Sequence, residues 1–434
     1  NFFEDRHRIG VTGYFSRNKL QGTGNSITYM SDSYRKTSNS SFDLLYAGTM
    51  DNNIFSWKIR YYHFLDKYTS YDDRDSAPSS QTEITSDGFQ AQISFENQLF
   101  SVTTGLDYQK VDFSRYSNIS DPATIIGDIA NVGAYVNAKA RLLDDNLIVT
   151  AGFRYDQNNN NATGLSKKVN NASSSVGIAY LPIDILKFRA NYSKGFRMPT
   201  VSELAIDYDM IFYYYGQFSY YHYPANPNLK PEHTKTLEFG FDLSTDFFFN
   251  LSVTYFLTDY KDQILSQLVR ISDDYSEYWY NHINAPTETN AAGIEVAANF
   301  DIGAYFDLPV SLTPYFNATF YTRRHGVYGE HPVLVRVPKT VYSYGLSFDY
   351  PEYTISASIN AYYRGSIYET NGIKRPGYTT VNLFVQKQLF EFIDQHKLSV
   401  QASVKNLFNK FYDPMPGYMI PGRSFYVALR YDFN

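Results

Sequence analysis

The stretch Phe89-Gln90-Ala91-Gln92-Ile93-Ser94-Phe95-Glu96 reads apolar and polar in strict turn. Successive side chains of a strand point to opposite faces, so Phe89, Ala91, Ile93 and Phe95 share one face and Gln90, Gln92, Ser94 and Glu96 the other. The same period returns far along the chain. Leu237, Phe239, Phe241 and Leu243 alternate with Glu238, Gly240 and Asp242, and Tyr353, Ile355, Ala357 and Ile359 with Thr354, Ser356, Ser358 and Asn360. At the end Phe425, Val427, Leu429, Tyr431 and Phe433 interleave with Ala428, Arg430 and Asp432. On a helix these charges would surround the whole circumference, so a helical reading fails.

Composition selects the kind of β protein. Among 434 residues there are 42 Tyr and 33 Phe, an aromatic share of 18%, while charged residues reach 19% and mean hydropathy is −0.38. No run approaches the roughly 18 consecutive apolar residues that a transmembrane helix requires. A membrane-spanning β-barrel joins these traits, because only every second residue faces lipid and aromatic girdles mark both interfaces. The predicted fold is therefore all-β, a transmembrane antiparallel β-barrel over residues 1–434. A large soluble sandwich array or propeller is the competing architecture, but it has no need of outward aromatic residues on every strand. With 38 basic and 44 acidic side chains the formal charge is −6, which excludes a generic nucleic-acid binder. The absence of cysteine rules out disulfides, thiolate metal sites and cysteine nucleophiles. Asn1 to Gly10 is polar and carries four charged residues, so no signal peptide is read there and the chain is expected to be mature, truncated or both.

Breaks in the pattern come in two lengths. Short ones fall at 50–53, 96–99, 143–146, 181–184, 244–247 and 349–352, and long ones at 68–82, 157–171, 197–233, 261–290, 323–337, 364–376 and 407–421. Outer-membrane barrels have short periplasmic turns and long extracellular loops, so the two lengths fix an orientation with the C-terminus in the periplasm. Counting gives about nine strands before Arg197 and about nine after His233, roughly eighteen in all.

Two segments carry more than period. Ser193 to Leu204 reads S-K-G-F-R-M-P-T-V-S-E-L, and Asn226 to Glu232 reads N-P-N-L-K-P-E. Pro199, Pro227 and Pro231 lack backbone donors, so they end strands and stiffen the long segment between them, and Arg197 and Glu203 are placed to pair within it. These boxes, with Phe196, Arg197, Pro199, Glu203, Asn226, Pro227, Asn228 and Leu229, resemble the paired boxes of TonB-dependent outer-membrane receptors. Asn284 and Ala285 followed by Gly293, Ile294 and Glu295 look like the family's next hairpin. Asn406 to Lys410, Tyr412 and Asp413, then Pro421, Gly422 and Arg423, are similar to its terminal strands. The likeness runs from about Ser193 to the end. It implies a 22-stranded barrel around a plug, placed in the bacterial outer membrane and energised by the TonB complex. No segment here resembles the plug or the box that TonB grips, so a plug domain is expected to be missing from this chain or supplied separately, with about four leading strands. The implied function is capture and import of a scarce, bulky nutrient: an iron complex, siderophore or haem, ahead of cobalamin.

Three clusters are candidate ligand sites. The first is aromatic: Tyr208, Phe212, Tyr213, Tyr214, Tyr215, Phe218, Tyr220, Tyr221, His222 and Tyr223 lie between the boxes. Such residues give large contact area at small entropy cost, fit to clamp a planar iron chelate. The resemblance adds that haem receptors of the family often carry a histidine here, as His222 is, and imidazole or tyrosinate can ligate haem iron. Aromatic packing of a self-supporting loop with a solvated His222 is the plainer alternative. The second cluster, Arg323, Arg324, His325, His331 and Arg336, lies in a predicted outer loop and would attract an anionic siderophore, haem propionates or lipopolysaccharide phosphates. Third, Asp72, Asp73 and Asp75 offer oxygen ligands for calcium, without the spacing or glycine of an EF-hand. A solvated loop is the alternative there.

Enzyme signatures are absent: no H-E-x-x-H, G-x-S-x-G or P-loop occurs, and Gly22-Thr23-Gly24 lacks the third glycine of a dinucleotide site. Glu238 and Glu295 read as members of a polar network rather than a catalytic pair. No cofactor is required, and the bound groups these residues could take are an iron chelate, haem or calcium. The expected partners are outer-membrane lipid, lipopolysaccharide and TonB, with no nucleic acid. A passive or substrate-selective porin of about eighteen strands is the main rival function, and a surface adhesin or enzyme barrel the third class.

Overall fold

The computed structural model describes residues 6–21, 34–50, 54–71, 77–117, 123–162, 165–200, 203–204, 208–214, 217–245, 248–326, 334–369, 372–392, 396–412 and 420–432. It is almost wholly strand. In chain order β1 spans His7–Gln21, β2 Tyr34–Thr49, β3 Phe55–Tyr71, β4 Ser80–Glu96, β5 Phe100–Ser117, β6 Ala123–Leu142, β7 Leu147–Ala162, β8 Leu165–Ile183 and β9 Leu186–Arg197. Next come β10 Tyr208–Tyr214, β11 Gln217–Tyr223, β12 Glu232–Thr245, β13 Phe249–Lys261, β14 Ile264–Ile271, β15 Glu277–Asn284 and β16 Thr289–Phe300. A helical turn α1, Ile302–Tyr305, precedes β17 Ser311–His325, β18 Thr340–Tyr350, β19 Ile355–Arg364, β20 Ile367–Tyr368, β21 Lys374–Arg375, β22 Tyr378–Phe392, β23 His396–Lys405 and β24 Ser424–Asp432. Eighteen of these belong to one sheet, the number expected from the alternation.

The chain divides into two compact units: residues 1–177, 193–235 and 260–287 form the first, and 178–192, 236–259 and 288–434 the second. In the first, β1 to β7 pair antiparallel, each with its sequence neighbour and without register shift, from His7↔Gly48 in β1–β2 to Leu142↔Leu147 in β6–β7. These strands run to 20 residues, about 66 Å at the usual rise. A membrane strand needs only about 9–11 residues, so the wall continues well beyond hydrocarbon.

Register converts the alternation into two chemically opposite faces. Ile59, Phe89, Ile93, Leu106 and Val132 share the outward face and are all exposed. On the other face Arg154 grips Asp107 with two bonds of 2.7 Å and Asp156 with bonds of 2.8 and 2.6 Å, and the Tyr135 hydroxyl donates to Gln92 at 3.1 Å. Gly133 makes room for this pair, since a Cβ there would fall 2.1 Å from Arg154 Nη2. Asp156 is 3% exposed, so the guanidinium is what makes its burial tolerable.

The second unit repeats the plan. β16 to β19 and β22 to β24 pair antiparallel in sequence order. Arg189 reaches Asp242, Ser252 and Thr254, while Phe239 and Tyr255 are exposed. Polar groups thus take the interior and apolar groups the exterior, the reverse of a soluble protein.

The turns correct some of the expected breaks. Residues 157–171 are not a long loop: β7 runs to Ala162 and β8 resumes at Leu165, because their polar asparagines alternate on the ladder instead of leaving it. The turn between β6 and β7 holds Leu143, Asp144 and Asp145 at φ of 54°, 52° and 69°, a left-handed run that aspartate tolerates better than most residues. Asp72, Asp73, Asp75, His331, Gly22 to Gly24, Asp413 and Phe433 lie outside the described residues.

The two faces predict opposite responses to charge. Leu106→Arg should destabilise the folded protein by about 2–4 kcal/mol, the cost of arginine near the bilayer midplane, whereas Gln92→Arg on the polar face should change it far less. Urea titration of each variant refolded in lipid vesicles, read by tryptophan fluorescence, measures the difference. Equal effects would contradict the assignment of faces.

Candidate functional site

The two motif boxes meet in the first unit and form a clasp at the outer end of the wall. β9 ends at Arg197, whose guanidinium bonds Glu232 at 2.7 and 2.9 Å and Glu203 at 3.2 and 3.3 Å. Its planar fork suits two carboxylates at once. Thr200 and Glu203 cap each other reciprocally, Thr200 N donating to Glu203 Oε2 at 2.7 Å and Glu203 N to Thr200 Oγ1 at 3.2 Å. The Glu203 carbonyl accepts from Asn226 N at 3.0 Å, which joins the first box to the second.

Asn226 then ties in the next loop. Its side-chain amide donates to the His282 carbonyl at 2.7 Å and its Oδ1 accepts from Asn228 N at 2.9 Å. Asn284 bonds Lys230 N and O at 2.8 and 2.9 Å and the Asp262 carbonyl at 2.7 Å. Lys167 donates to the carbonyls of Pro227 and Leu229, and Asn160 to that of Pro199 at 3.5 Å. Pro199, Leu204 and Leu229 are fully buried beneath this network. Proline and leucine therefore fill it while the asparagines satisfy backbone groups that an irregular segment leaves unpaired.

Electrostatics follows from burial. The Arg197 pK is raised, chiefly by Glu232, against a desolvation that lowers it. Burial pushes the Glu232 carboxyl up, but the bonds from Arg197 and from Ile264 N at 2.7 Å outweigh it and hold it below the usual glutamate range. Burial lowers the pK of Lys167. It also lowers that of His282, which is 6% exposed and pairs through Nδ1 with Ser266 Oγ at 3.2 Å, while the nearby Glu203 charge pulls the other way.

Beyond the clasp stands a four-stranded loop sheet in the order β10-β11-β15-β14. The aromatic run read from the sequence as part of a long loop forms paired strands within it, Tyr208↔Tyr223 to Tyr214↔Gln217, since aromatic residues favour pleated backbone. β11 pairs parallel with β15 through Tyr221↔Tyr278 and His222↔Trp279, and β15 pairs antiparallel with β14 through Arg270↔Trp279. One face stacks Tyr221 on Tyr278 at 4.7 Å and Tyr223 on Tyr280 at 5.0 Å. The other carries a row of Arg270, Trp279 and His222, with the guanidinium carbon 4.4 Å from the indole and the imidazole 5.1 Å from it. Tyr220, 37% exposed, shares that face. At the β14–β15 turn, Ser272 and Ser276 hydroxyls hold the Asp274 carboxyl at about 2.

Of the sequence candidates, the structure gathers Arg197, Glu203, Asn226, Pro227, Asn228 and Leu229 in the clasp, and Tyr220, Tyr221, His222 and Tyr223 in the loop sheet. Phe196 sits half-buried at the end of β9. Tyr214 is placed by its backbone at the end of β10, and Tyr215 lies outside the described residues. Arg323, Arg324 and His325 belong to the second unit, where they are the last residues of β17 rather than an outer loop. The ladder carries on through Arg323↔Ala292 to His325↔Asn290, and Arg324 donates to the Val337 carbonyl at 2.6 Å. Arg336 pairs instead with the buried Glu369 at 2.9 Å. Arg270, Trp279, Tyr278, Tyr280 and His282 are not among the sequence candidates, although Tyr278, Trp279 and Tyr280 are three consecutive aromatic residues within E-Y-W-Y-N-H-I-N over 277–284.

The clasp generates a prediction. Arg197→Ala leaves two carboxylates facing each other, and after discounting for the exposure of Arg197 the local loss should be about 1–2 kcal/mol. Hydrogen exchange of the loop-sheet amides should then quicken roughly 5- to 30-fold, and Arg197→Lys should not restore protection. Acid acts in the same direction. The depressed Glu232 contributes stability above its unfolded value near 4.3 and loses it as pH falls through the folded value. The buried neutral His282 contributes fully above about 6.5 and loses stability as pH falls toward its depressed value. Protection independent of pH between 7 and 3.5 would contradict both.

Comparison with known proteins gives one family and a consistent fold. Residues 2–407 match the family model described as TonB dependent receptor-like, beta-barrel. The heme/hemopexin utilization protein C of Haemophilus influenzae is 28% identical over 265 residues, 55% of this chain and 34% of that protein. The vitamin B12 transporter BtuB of Photobacterium profundum is 24% identical over 423 residues, 87% of this chain and 62% of the transporter. Among solved structures, the FrpB iron transporter of Neisseria meningitidis in its apoprotein form superposes with a TM-score of 0.75 at 17% identity, over 99% of this chain and 69% of that one. The chain thus spans between about a third and two thirds of the length of these relatives. Its exposed apolar face and its match to this family agree with a place in the bacterial outer membrane. By the match over nearly its whole length, the chain belongs to the TonB-dependent receptor-like β-barrel family.

Proposed function

We propose that this chain is the barrel portion of an outer-membrane transporter that captures a planar iron chelate, haem foremost, on its loop sheet. Passage through the wall is then driven by the TonB complex, with a plug as part of the whole receptor. The observation that carries the reading is the Arg270–Trp279–His222 row. It sets the Trp279 indole between an imidazole, a group able to ligate iron, and a guanidinium able to bond a propionate, all on adjacent strands. Tyr220 stands on the same face. The clasp supports the row by fixing both loops through Asn226 and Asn284, so little ordering entropy is left to oppose binding. The name of the Haemophilus relative agrees with a haem cargo, and that of the Photobacterium relative keeps cobalamin as the competing cargo. A passive porin finds no support in the family.

Haem added to the detergent-folded chain should produce a shifted Soret band, and His222→Ala should shift it back and weaken binding about tenfold or more. Trp279→Ala and Arg270→Gln should weaken affinity while leaving the band position of what remains bound. A ferric catecholate and cyanocobalamin, titrated as competitors, rank the cargoes. A Soret band unchanged by His222→Ala removes the ligand assignment, and cobalamin displacing haem at equal concentration reverses the choice of cargo.

A further inference from the structure

The outer ends of β1, β2 and β3 carry a feature that capture of a nutrient does not use. Pairing there is continuous, so faces can be followed along each strand from the lipid side. Val11, Leu44 and Tyr61 lie in register on the exposed apolar face. Six residues further out, without any register shift, Arg17, Ser38 and Lys67 occupy the same face, and next to them Lys19, Lys36 and Thr69. On β1 the last apolar residue before them is Phe15, on β2 Phe42 and on β3 Leu65. These six side chains line a cleft of about 520 Å³.

The cleft is built for an anion. Tyr34 and Tyr71 stack at 4.4 Å at its outer rim, with Lys19 Nζ 4.2 Å from the Tyr34 ring and Lys36 Nζ 4.9 Å from the Tyr71 ring. These cation–π contacts hold two ammonium groups beside each other, at adjacent positions where bare repulsion would part them. Lys67 pairs with Glu83 at 3.3 Å, so four cations outnumber that carboxylate. Ser38 and Thr69 add hydroxyl donors. Position selects the occupant: the cleft opens outward, directly beyond the apolar band and on the side of the long loops, where the headgroups of the outer leaflet lie. We propose that Arg17, Lys19, Lys36 and Lys67 bind the phosphate groups of an outer-leaflet glycolipid, anchoring this edge of the wall to a phosphorylated headgroup whose acyl chains lie against Phe15, Phe42 and Leu65. This site faces away from the polar interior and does not depend on the cargo reading.

The test uses the full chain folded in neutral detergent and titrated with bis-phosphorylated lipid A, followed by native mass spectrometry. Lipid A should bind in a salt-sensitive manner, and the combined Lys19→Gln/Lys36→Gln/Lys67→Gln variant should bind it at least tenfold more weakly. Lys58→Gln, on the opposite face of β3, should bind like the parent. Retained heat-modifiability on electrophoresis shows that each variant is folded, and Arg17→Gln alone, expected to lose about threefold, serves if the triple variant is not. Undiminished binding in the variants overturns the site, as does an equal loss in Lys58→Gln. Displacement of lipid A by inorganic phosphate at equal phosphate concentration overturns the lipid as occupant.

Discussion

Inside hydrocarbon no water replaces a missing backbone hydrogen bond, so a strand can cross only if its neighbours satisfy every N–H and C=O. The unbroken ladders of β1 to β7 meet that demand, and the rest of the molecule is arranged around it. Once pairing fixes the backbone, each residue has only a choice of face. Apolar side chains go outward to lipid, and polar ones go inward, where Arg154 with Asp107 and Asp156 shows how charges are kept tolerable by mutual bonding.

The same constraint relaxes above the membrane, and that is where function can be placed. There the strands outlast the bilayer and water is available, so irregular backbone becomes affordable. The clasp of Arg197, Glu203, Glu232 and Asn226 uses side chains to do what ladders do below, satisfying loop backbone and holding two long segments together. Those segments then add a small sheet of their own, whose aromatic and histidine rows owe their order to β11–β15 pairing. Rigid wall, clasp and loop sheet form a hierarchy in which each level limits the freedom of the next. The basic cleft at β1 to β3 belongs to the wall itself, on the face that meets lipid headgroups.

Period two, turn spacing and aromatic content made the all-β wall and its count of eighteen strands legible in the chain, because face selection depends only on neighbours in sequence. Local chemistry also revealed the two boxes, with their prolines and the Arg197–Glu203 pair, but not that Glu232 would take the other side of the same guanidinium. It did not reveal that Asn226 and Asn284 would bridge separate loops, nor that Trp279 and Arg270 would stand beside His222. Those partners lie some 50 residues apart in sequence, and their meeting depends on a parallel pairing between loops that no local pattern encodes. Arg323 and Arg324 show the opposite error: charge suggested a loop, while the ladder kept them in β17. What the sequence alone determined was which face each wall residue takes; which loops meet, and so which side chains can share one ligand, was decided only when distant strands came into register.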